Sequence, residues 1–327
     1  MTGKALRGLA AVTAGLVLLL IVMRGLDGDR PTAAGQLLPA LETIADSLTE
    51  VRVDDGDDAT TLRQSAPGRW VVAERNDYPA NTARLRQLVV ALAGAAIVEE
   101  KTSNPALYGK LGLGEPGDES AGTFITFAAP AEEQTVVLGD SARRDNRYAR
   151  VAGRSATYLI DANPETPAGP ADWLLPDIVD VPASDIAGFT IEHGDGERIE
   201  FAKDDPEQAD FEPANLPEGR ELTYPSVANA IAGTLAGLTL TDVRPQSGAE
   251  PAATVHFRRR DGSLLRVDVI RDEDDEAWLA LSADSAGADA SASTDAINER
   301  VSGWEYRVPD YKARQLTKRW DDLLKAE

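Results

Sequence analysis

The sequence contains no cysteine and only two histidines among 327 residues. The absence of cysteine excludes disulfides, thiolate nucleophiles, iron–sulfur clusters and cysteine-based zinc sites. Histidine is the residue type that titrates near neutral pH, so acid–base or metal chemistry in this chain would depend on His193, His256 or carboxylates.

Basic residues are also scarce, with 33 Lys and Arg against 55 Asp and Glu, which gives a net charge of -22. Such a surface repels phosphate backbones, so we predict no nucleic-acid partner. Hydrophobic residues make up 43% and charged residues 27% of the chain, close to ordinary globular proteins. The bulk of the chain is therefore expected to fold.

One uncharged run, residues 8–23, lies near the N-terminus between the basic residues Lys4, Arg7 and Arg24. At a rise of about 1.5 Å per residue, residues 5–26 would span a hydrocarbon core of about 30 Å if the flanking arginines extend toward the lipid head groups. The sequence therefore predicts a membrane anchor within residues 1–30, with the membrane as partner of residues 5–26.

A cleaved signal peptide has the same basic start and apolar middle. Its best cleavage site, 32–34, is separated from the apolar run by the charged stretch 24–30, which favours an uncleaved anchor. Basic residues flank both ends of the run, so charge does not set the orientation. A short N-terminal tail before a large body predicts a single-pass protein of the bacterial cytoplasmic membrane with an extracytoplasmic body.

Two copies of one pattern occupy the rest of the chain, which we divide at 31–177 and 178–327. Tyr78-Pro79 precedes an apolar stripe typical of a helix, and Tyr224-Pro225 precedes a similar one. The members of the two stripes are Leu85, Leu88, Val89 and Leu92 in the first copy and Ile231, Leu235 and Leu238 in the second.

Each copy also begins with alternating apolar residues around an acidic or glycine-containing turn, which predicts a hairpin. The hairpins are expected over residues 51–62 and 189–201. A Pro/Gly-rich loop is expected over 104–117 in the first copy, and a mobile, Ala/Ser-rich loop over 282–294 in the second. The predicted fold class is α+β: an N-terminal transmembrane helix followed by two tandem copies of a mostly antiparallel sheet plus helix unit.

Candidate chemistry is sparse. His193 is expected in a turn and His256 in a strand, and the acidic clusters 54–58 and 272–276 fall where hairpins turn and lack the order of an EF-hand loop. A P-loop, a dinucleotide fingerprint and a nucleophile elbow are absent from the sequence. We therefore predict no enzyme, no catalytic, cofactor-binding or metal residue and no cofactor, with the binding residues unknown.

Several short motifs resemble the bacterial domain-of-unknown-function family DUF4340 over roughly residues 40–180. These are Gly68-Arg69-Trp70-Val71-Val72, Tyr78-Pro79-Ala80, Leu111-Gly112-Leu113-Gly114-Glu115-Pro116, Val136-Val137-Leu138-Gly139, Arg147-Tyr148-Ala149-Arg150-Val151 and Thr157-Tyr158-Leu159-Ile160. The resemblance implies one membrane helix and an accessory role beside a gliding-motility-type ABC transporter, and it implies no catalytic residue.

Three functions stay open. The leading hypothesis is a membrane-anchored extracytoplasmic accessory or scaffold protein that contacts an ABC transporter permease or another envelope protein. The alternative is a ligand- or glycan-binding module that uses a cleft between the two copies. A hydrolase with a carboxylate pair is the third, since glycoside hydrolysis needs only two acids.

Overall fold

The computed structural model describes residues 35–118, 120–143, 145–285 and 288–326. These residues are mostly antiparallel sheet with few helices. Contacts divide them into two compact units, of which the first contains residues 35–48 and 86–166 and the second the remainder. The boundaries predicted from the repeat, 31–177 and 178–327, stay a prediction.

The first unit is a five-stranded antiparallel sheet in the order β6-β7-β8-β9-β5. Its strands are β5 (Ile97–Glu100), β6 (Thr123–Ala129), β7 (Glu132–Ser141), β8 (Arg147–Val151) and β9 (Thr157–Ile160). Helix α1 (Pro39–Ile44) precedes the sheet, and helix α2 (Thr82–Ala93) includes the point in the sequence where the two units divide.

A buried arginine is central to the packing of the first unit. The Arg150 side chain is 5% exposed. Its guanidinium carbon lies 5.0 Å from the centre of the Tyr108 ring, and its Nη2 donates to Glu115 at 2.5 Å. Leu113 and Val137 pack with Tyr108 in the same cluster. Because the charge is both paired and placed over an aromatic ring, this cation is accommodated in an apolar cluster.

The second unit contains an antiparallel meander in the order β4-β3-β2-β1, a two-stranded sheet β10-β14 and an eight-stranded sheet in the order β13-β12-β11-β16-β17-β18-β19-β15. The meander is β1 (Glu50–Asp54), β2 (Ala59–Ala66), β3 (Arg69–Val72) and β4 (Tyr78–Pro79). The later strands are β10 (Asp177–Val179), β11 (Ile186–His193), β12 (Arg198–Ala202), β13 (Glu212–Pro213), β14 (Leu238–Thr239), β15 (Asp242–Pro245), β16 (Ala253–Arg259), β17 (Leu264–Arg271), β18 (Ala277–Asp284) and β19 (Trp304–Arg307).

One face of the eight-stranded sheet forms the core of the second unit. Alternate residues of β11, β16 and β17 are buried there, among them Phe189, Ile191, Val255 and Val267. Helices α3 (Asn229–Ala232), α4 (Ala288–Val301) and α5 (Asp310–Leu316) pack on the sheet, and α6 (Trp320–Leu323) follows. The two-residue period of a strand sends the intervening side chains to the opposite face, which we call the open face.

The outer edge of β12 is occupied by the segment that follows β13. Asn215 accepts a hydrogen bond from the Glu200 N–H at 2.8 Å and donates one to the Arg198 carbonyl at 2.8 Å. Its side-chain amide therefore pairs with the strand edge as a peptide group would.

Aromatic contacts join the two chain segments of the second unit. Tyr78, on β4, packs edge-to-face against Trp304 with ring centres 5.1 Å apart, and against Tyr306 at 6.1 Å. Arg75, three residues before Tyr78, forms an ion pair at 2.6 Å with Asp242, which lies opposite Arg307 on β19. Burial raises the pKa of the Tyr78 phenol, which stays neutral. These contacts attach the end of the meander to β19 and β15, which lie more than 160 positions later in the sequence.

The strands of the two predicted copies follow matching orders. The first copy contains the order β6-β7-β8-β9-β5, and the second copy contains the equivalent order β16-β17-β18-β19-β15. In the same way, the neighbouring strands β1-β2-β3 of the first copy correspond to β11-β12-β13 of the second. The helices do not match, because α2 covers Thr82–Ala93 whereas α3 covers only Asn229–Ala232.

The predicted α+β class was wrong. The apolar stripe at Ile231, Leu235 and Leu238 does not form a full helix, because Gly233 ends α3 and Gly237 has a φ of 51°. Glycine costs about 1 kcal/mol in a helix interior relative to alanine, and Leu238 already belongs to strand β14. The rest of the stripe therefore forms turns and a strand, and the described residues are mostly antiparallel sheet.

The predicted mobile loop at 282–294 was also wrong. Residues up to Asp284 belong to β18, and α4 begins at Ala288. Leu281 and Ala283, two positions apart on the strand, are both buried. The segment lacks large apolar residues, but alanine has the highest helix propensity.

The predicted transmembrane helix at 5–26 lies outside the described residues. None of the helices in the described part of the chain combines the length and apolarity that a membrane crossing requires.

Tyr78 offers a test of the contacts within the second unit. We expect Tyr78→Ala to lower the free energy of unfolding by about 3–5 kcal/mol, because it removes a buried ring and leaves a cavity. The matched control is Tyr224→Ala, at the corresponding position of the second copy, where the side chain is 53% exposed. The control should change stability by about 0.5 kcal/mol or less. Urea titration of the full chain in mild detergent measures both, and equal losses would contradict the packing described.

Candidate binding groove

The two histidines lie on opposite faces of the eight-stranded sheet. His193 ends β11 and is the first residue of the predicted turn, since its carbonyl oxygen accepts the Gly196 N–H at 2.9 Å. Its side chain is buried, with Nε2 3.1 Å from the Lys318 carbonyl oxygen. His256 lies in β16, which confirms its predicted strand, and it pairs in register with Thr190. His256 shares the face of Thr190, its partner in register, whereas His193, three residues after Thr190 on β11, points to the other face. The two rings therefore do not converge on one site.

The acidic clusters lie in hairpin turns, as predicted. Asp55 accepts the N–H groups of Asp57 and Asp58 at 3.1 and 3.0 Å in the turn between β1 and β2. Asp272 accepts the Trp278 indole N–H at 2.8 Å, and this hydrogen bond is the largest cause that lowers the Asp272 pKa. Within the described residues no group of three or more acidic or histidine side chains is arranged to hold a metal ion.

A separate polar network involves Glu305, whose side chain is fully buried on β19. Ser247 donates to it from both N–H and Oγ at 2.7 Å, and Arg244 donates at 2.7 Å. The Arg244 guanidinium also lies 4.1 Å from the Trp278 ring centre. Burial raises the Glu305 pKa, but the hydrogen bonds from Ser247 and the charge of Arg244 outweigh it, so the net pKa is lowered. Each oxygen of this carboxylate is engaged, which makes the network structural.

The open face presents three rows of residues across β11, β16 and β17. The registers align Gly188 with Arg258 and Leu264, Thr190 with His256 and Arg266, and Glu192 with Thr254 and Asp268. The face therefore combines charged, polar and apolar side chains at positions set by the strand register.

Two adjoining hollows on this face share Arg258 and Leu264, and we call them together the arginine groove. One has a volume of about 210 Å³, and the other of about 380 Å³. The first is lined by Gly188, Phe189, Thr190, Glu200, Phe201, His256, Arg258 and Leu264. The second is lined by Ala187, Arg258, Arg259, Arg260, Gly262 and Leu264.

Gly188 forms the floor of the smaller hollow. A Cβ atom there would lie 2.8 Å from the Phe201 carbonyl oxygen and 3.1 Å from Arg258 Nη2. Glycine therefore allows the Arg258 side chain to approach the backbone of β11, and it leaves space beside Thr190.

The β16–β17 turn fixes the position of the arginines. Gly262 has a φ of 85°, which suits glycine, and Asp261 accepts hydrogen bonds from the Ser263 N–H at 2.9 Å and Oγ at 2.6 Å. Burial raises the pKa of Asp261, but the bonds from Ser263 and the charge of Arg259 hold it below its ordinary value. The turn carboxylate thus stays ionised beside Arg259.

The three consecutive arginines differ in their availability. Arg259 pairs with Asp261 at 2.9 Å, and Arg260 donates to the carbonyls of Ser184 and Lys203 at 2.9 and 3.0 Å. The Arg258 side chain is 52% exposed, and its contacts are longer: Asp204 at 3.7 Å and the Ala187 carbonyl at 3.4 Å. Arg258 is therefore the arginine of the groove with donors available to a ligand.

The other cations of the open face are already neutralised. Arg198 pairs with Glu192 at 3.0 Å and Glu200 at 3.2 Å, and Arg266 with Asp268 at 3.0 Å. Sequence reasoning did not predict the groove. Its signal was the run 258–260, three arginines before an Asp-Gly turn in a chain of net charge -22.

The fold and groove define an antiparallel-sheet protein with an open, arginine-lined groove on one sheet face. The chain belongs to the DUF4340 family, a domain of unknown function, whose model matches residues 70–256, more than half of the 327 residues. The match extends into the second copy, beyond the motifs at 40–180. Neither the curated proteins nor the solved structures include a match to the chain.

The Glu305 network predicts a pH-dependent contribution to stability. Because the folded-state pKa is lowered from its ordinary 4.5, the ionised carboxylate stabilises the fold above that pH, and this contribution is lost as pH falls through the folded pKa. We expect Glu305→Gln to lower the free energy of unfolding by about 1–3 kcal/mol at pH 7. The difference in free energy of unfolding between the variant and the parent protein should become smaller below about pH 4.5.

Urea titrations of the full chain between about pH 3 and 7 measure this difference. The exposed Glu133→Gln is the control, and it should change stability by about 0.5 kcal/mol or less at pH 7. If Glu305→Gln lowers the free energy of unfolding by the same amount at all pH values, the charge of Glu305 is not what stabilises the network.

Proposed function

We propose that this protein is a non-enzymatic accessory or scaffold protein of an envelope complex, and that it contacts its partner through the open face of the eight-stranded sheet. The observation that carries the proposal is Leu264, which is 42% exposed and lies in register with Arg258 in the arginine groove. Arginine is enriched at interfaces and among their hot-spot residues, and the buried centre of an interface is more apolar than its rim.

The depth of the groove also supports a macromolecular partner. Small-molecule sites enclose most of their ligand. Here the residues that line the two hollows include Arg258 and Leu264, both exposed, and the floor lies directly on the sheet at Gly188. A surface of this shape fits a segment of another protein that lies across it.

The finer identity of the partner rests on the family resemblance and the sequence. Members of DUF4340 resemble accessory proteins of gliding-motility-type ABC transporters, so the permease of such a transporter is the partner we propose. The uncharged run 8–23 supports a location at the bacterial cytoplasmic membrane, and the short tail before it supports an extracytoplasmic body. The alternative of glycan binding between the two copies stays a prediction.

Site-specific photocrosslinking tests the proposed contact. A photoreactive benzophenone amino acid is placed at Leu264 in the full chain, and native membranes are irradiated before solubilisation. We expect a crosslink to a permease or another envelope protein, because the side chain at this position is exposed on the open face.

The matched control places the same photoreactive group at Tyr311 on α5, which is 58% exposed and lies on a helix packed against β16 and β18. We expect little or no crosslinking from this position. Equal yields from both positions, or none from Leu264, would overturn the proposal.

A further inference from the structure

The arginine groove has the chemistry of a carboxylate site. Resting on the function proposed above, we infer that the groove recognises an acidic segment of the partner protein: a carboxylate binds Arg258, and a neighbouring apolar side chain packs on Leu264. Both residues lie on the open face as partners in register on adjacent strands.

The weak contacts of the Arg258 guanidinium support the assignment of an anionic ligand to the groove. A guanidinium offers five donors in a planar fork that matches a carboxylate. The two contacts that Arg258 makes, at 3.7 Å to Asp204 and 3.4 Å to the Ala187 carbonyl, are longer than ordinary charge-assisted hydrogen bonds. The Asp204 side chain is 88% exposed, so an incoming carboxylate can displace it at little cost.

Arg260 adds to the charge of Arg258 in the larger hollow, where two backbone carbonyls hold its side chain in place. The charge of Arg259 is offset by Asp261 at 2.9 Å and Asp185 at 3.9 Å. The carboxylate that lines the smaller hollow, Glu200, is paired with Arg198 at 3.2 Å. The positive charge that the groove offers to a ligand is therefore that of Arg258 and Arg260, in a chain whose net charge is -22.

The spacing of the site favours a peptide in extended conformation. Side chains in register on adjacent strands have Cβ atoms about 4.5–5.5 Å apart. Alternate residues of an extended segment lie about 6–7 Å apart on the same side. An acidic residue over Arg258 can therefore place a second, apolar residue against Leu264. Gly188 leaves room for the segment beside this pair.

Titration of a labelled peptide into the full chain in mild detergent tests the inference. The probe is a five-residue peptide that alternates glutamate and leucine, followed by fluorescence anisotropy, and the comparison peptide carries glutamine in place of glutamate. We expect the glutamate peptide to bind about tenfold more tightly, and its affinity to fall as salt is raised.

Variants locate the binding to the groove. Arg258→Gln should weaken binding of the glutamate peptide about tenfold, and Leu264→Ser about threefold, because they remove the charged and apolar contacts respectively. The matched control is Arg63→Gln, on β2, whose side chain is 50% exposed and pairs with Asp77. It should leave the affinity unchanged. Equal binding of the two peptides, or an equal loss in Arg63→Gln, would overturn the inference.

Competition distinguishes a peptide carboxylate from a phosphate group. Inorganic phosphate, or vesicles containing phosphatidylglycerol, should displace the glutamate peptide poorly. Efficient displacement by either would assign the groove to phosphate and overturn the peptide assignment.

Failure of this inference can be told apart from failure of the proposed function. A crosslink from Leu264 to an envelope protein, with no preference for the glutamate peptide, would leave the scaffold role and remove carboxylate recognition. Selective peptide binding without any crosslink in membranes would keep carboxylate recognition and refute the proposed function.

Discussion

The two-residue alternation of β11, β16 and β17, held in a common register, is the constraint on which the second unit depends. It sends Phe189, Val255 and Val267 into the core and Gly188, Arg258 and Leu264 to the opposite face. A shift of one residue in any of these strands would exchange the two sets. The same register therefore determines both the stability of the sheet and the composition of the groove.

The motifs that carry the family resemblance have a structural explanation. Arg150 and Glu115, from two different motifs, form an ion pair, and Leu113 packs with Val137 from a third motif. Gly139 lies so close to the Leu111 carbonyl oxygen that a Cβ would be 2.1 Å from it. These residues constrain one another within the first unit, whereas the arginine groove lies in the second. The family motifs thus define a fold and do not specify the chemistry of a site.

Local patterns in the sequence were sufficient to predict the hairpins. Residues 51–62 and 189–201 alternate and contain clear turn residues, and both form antiparallel pairs, β1-β2 and β11-β12. Helix α2 was also predicted, since its stripe contains no glycine before Gly94. The stripe at Ile231 looks similar but contains two glycines, and neighbouring segments supply a strand partner for Leu238 in β10.

Features that depend on distant residues could not be predicted in the same way. Tyr78 and Tyr224 both stand directly before a proline, yet Tyr78 is 2% exposed and Tyr224 is 53% exposed. The difference arises from Trp304 and Tyr306, which pack on Tyr78 from more than two hundred positions later in the chain. The groove has the same origin, because the row formed by Gly188, Arg258 and Leu264 exists only once three strands are aligned.

Asn215 has a consequence for how the sheet meets other chains. Unpaired strand edges are where sheets grow by adding a foreign strand, which leads to aggregation or polymerisation. At β12 the amide of Asn215 already uses the Glu200 N–H and the Arg198 carbonyl, so a strand that approached this edge would have to displace it. This stretch of β12 is therefore protected from the addition of a foreign strand.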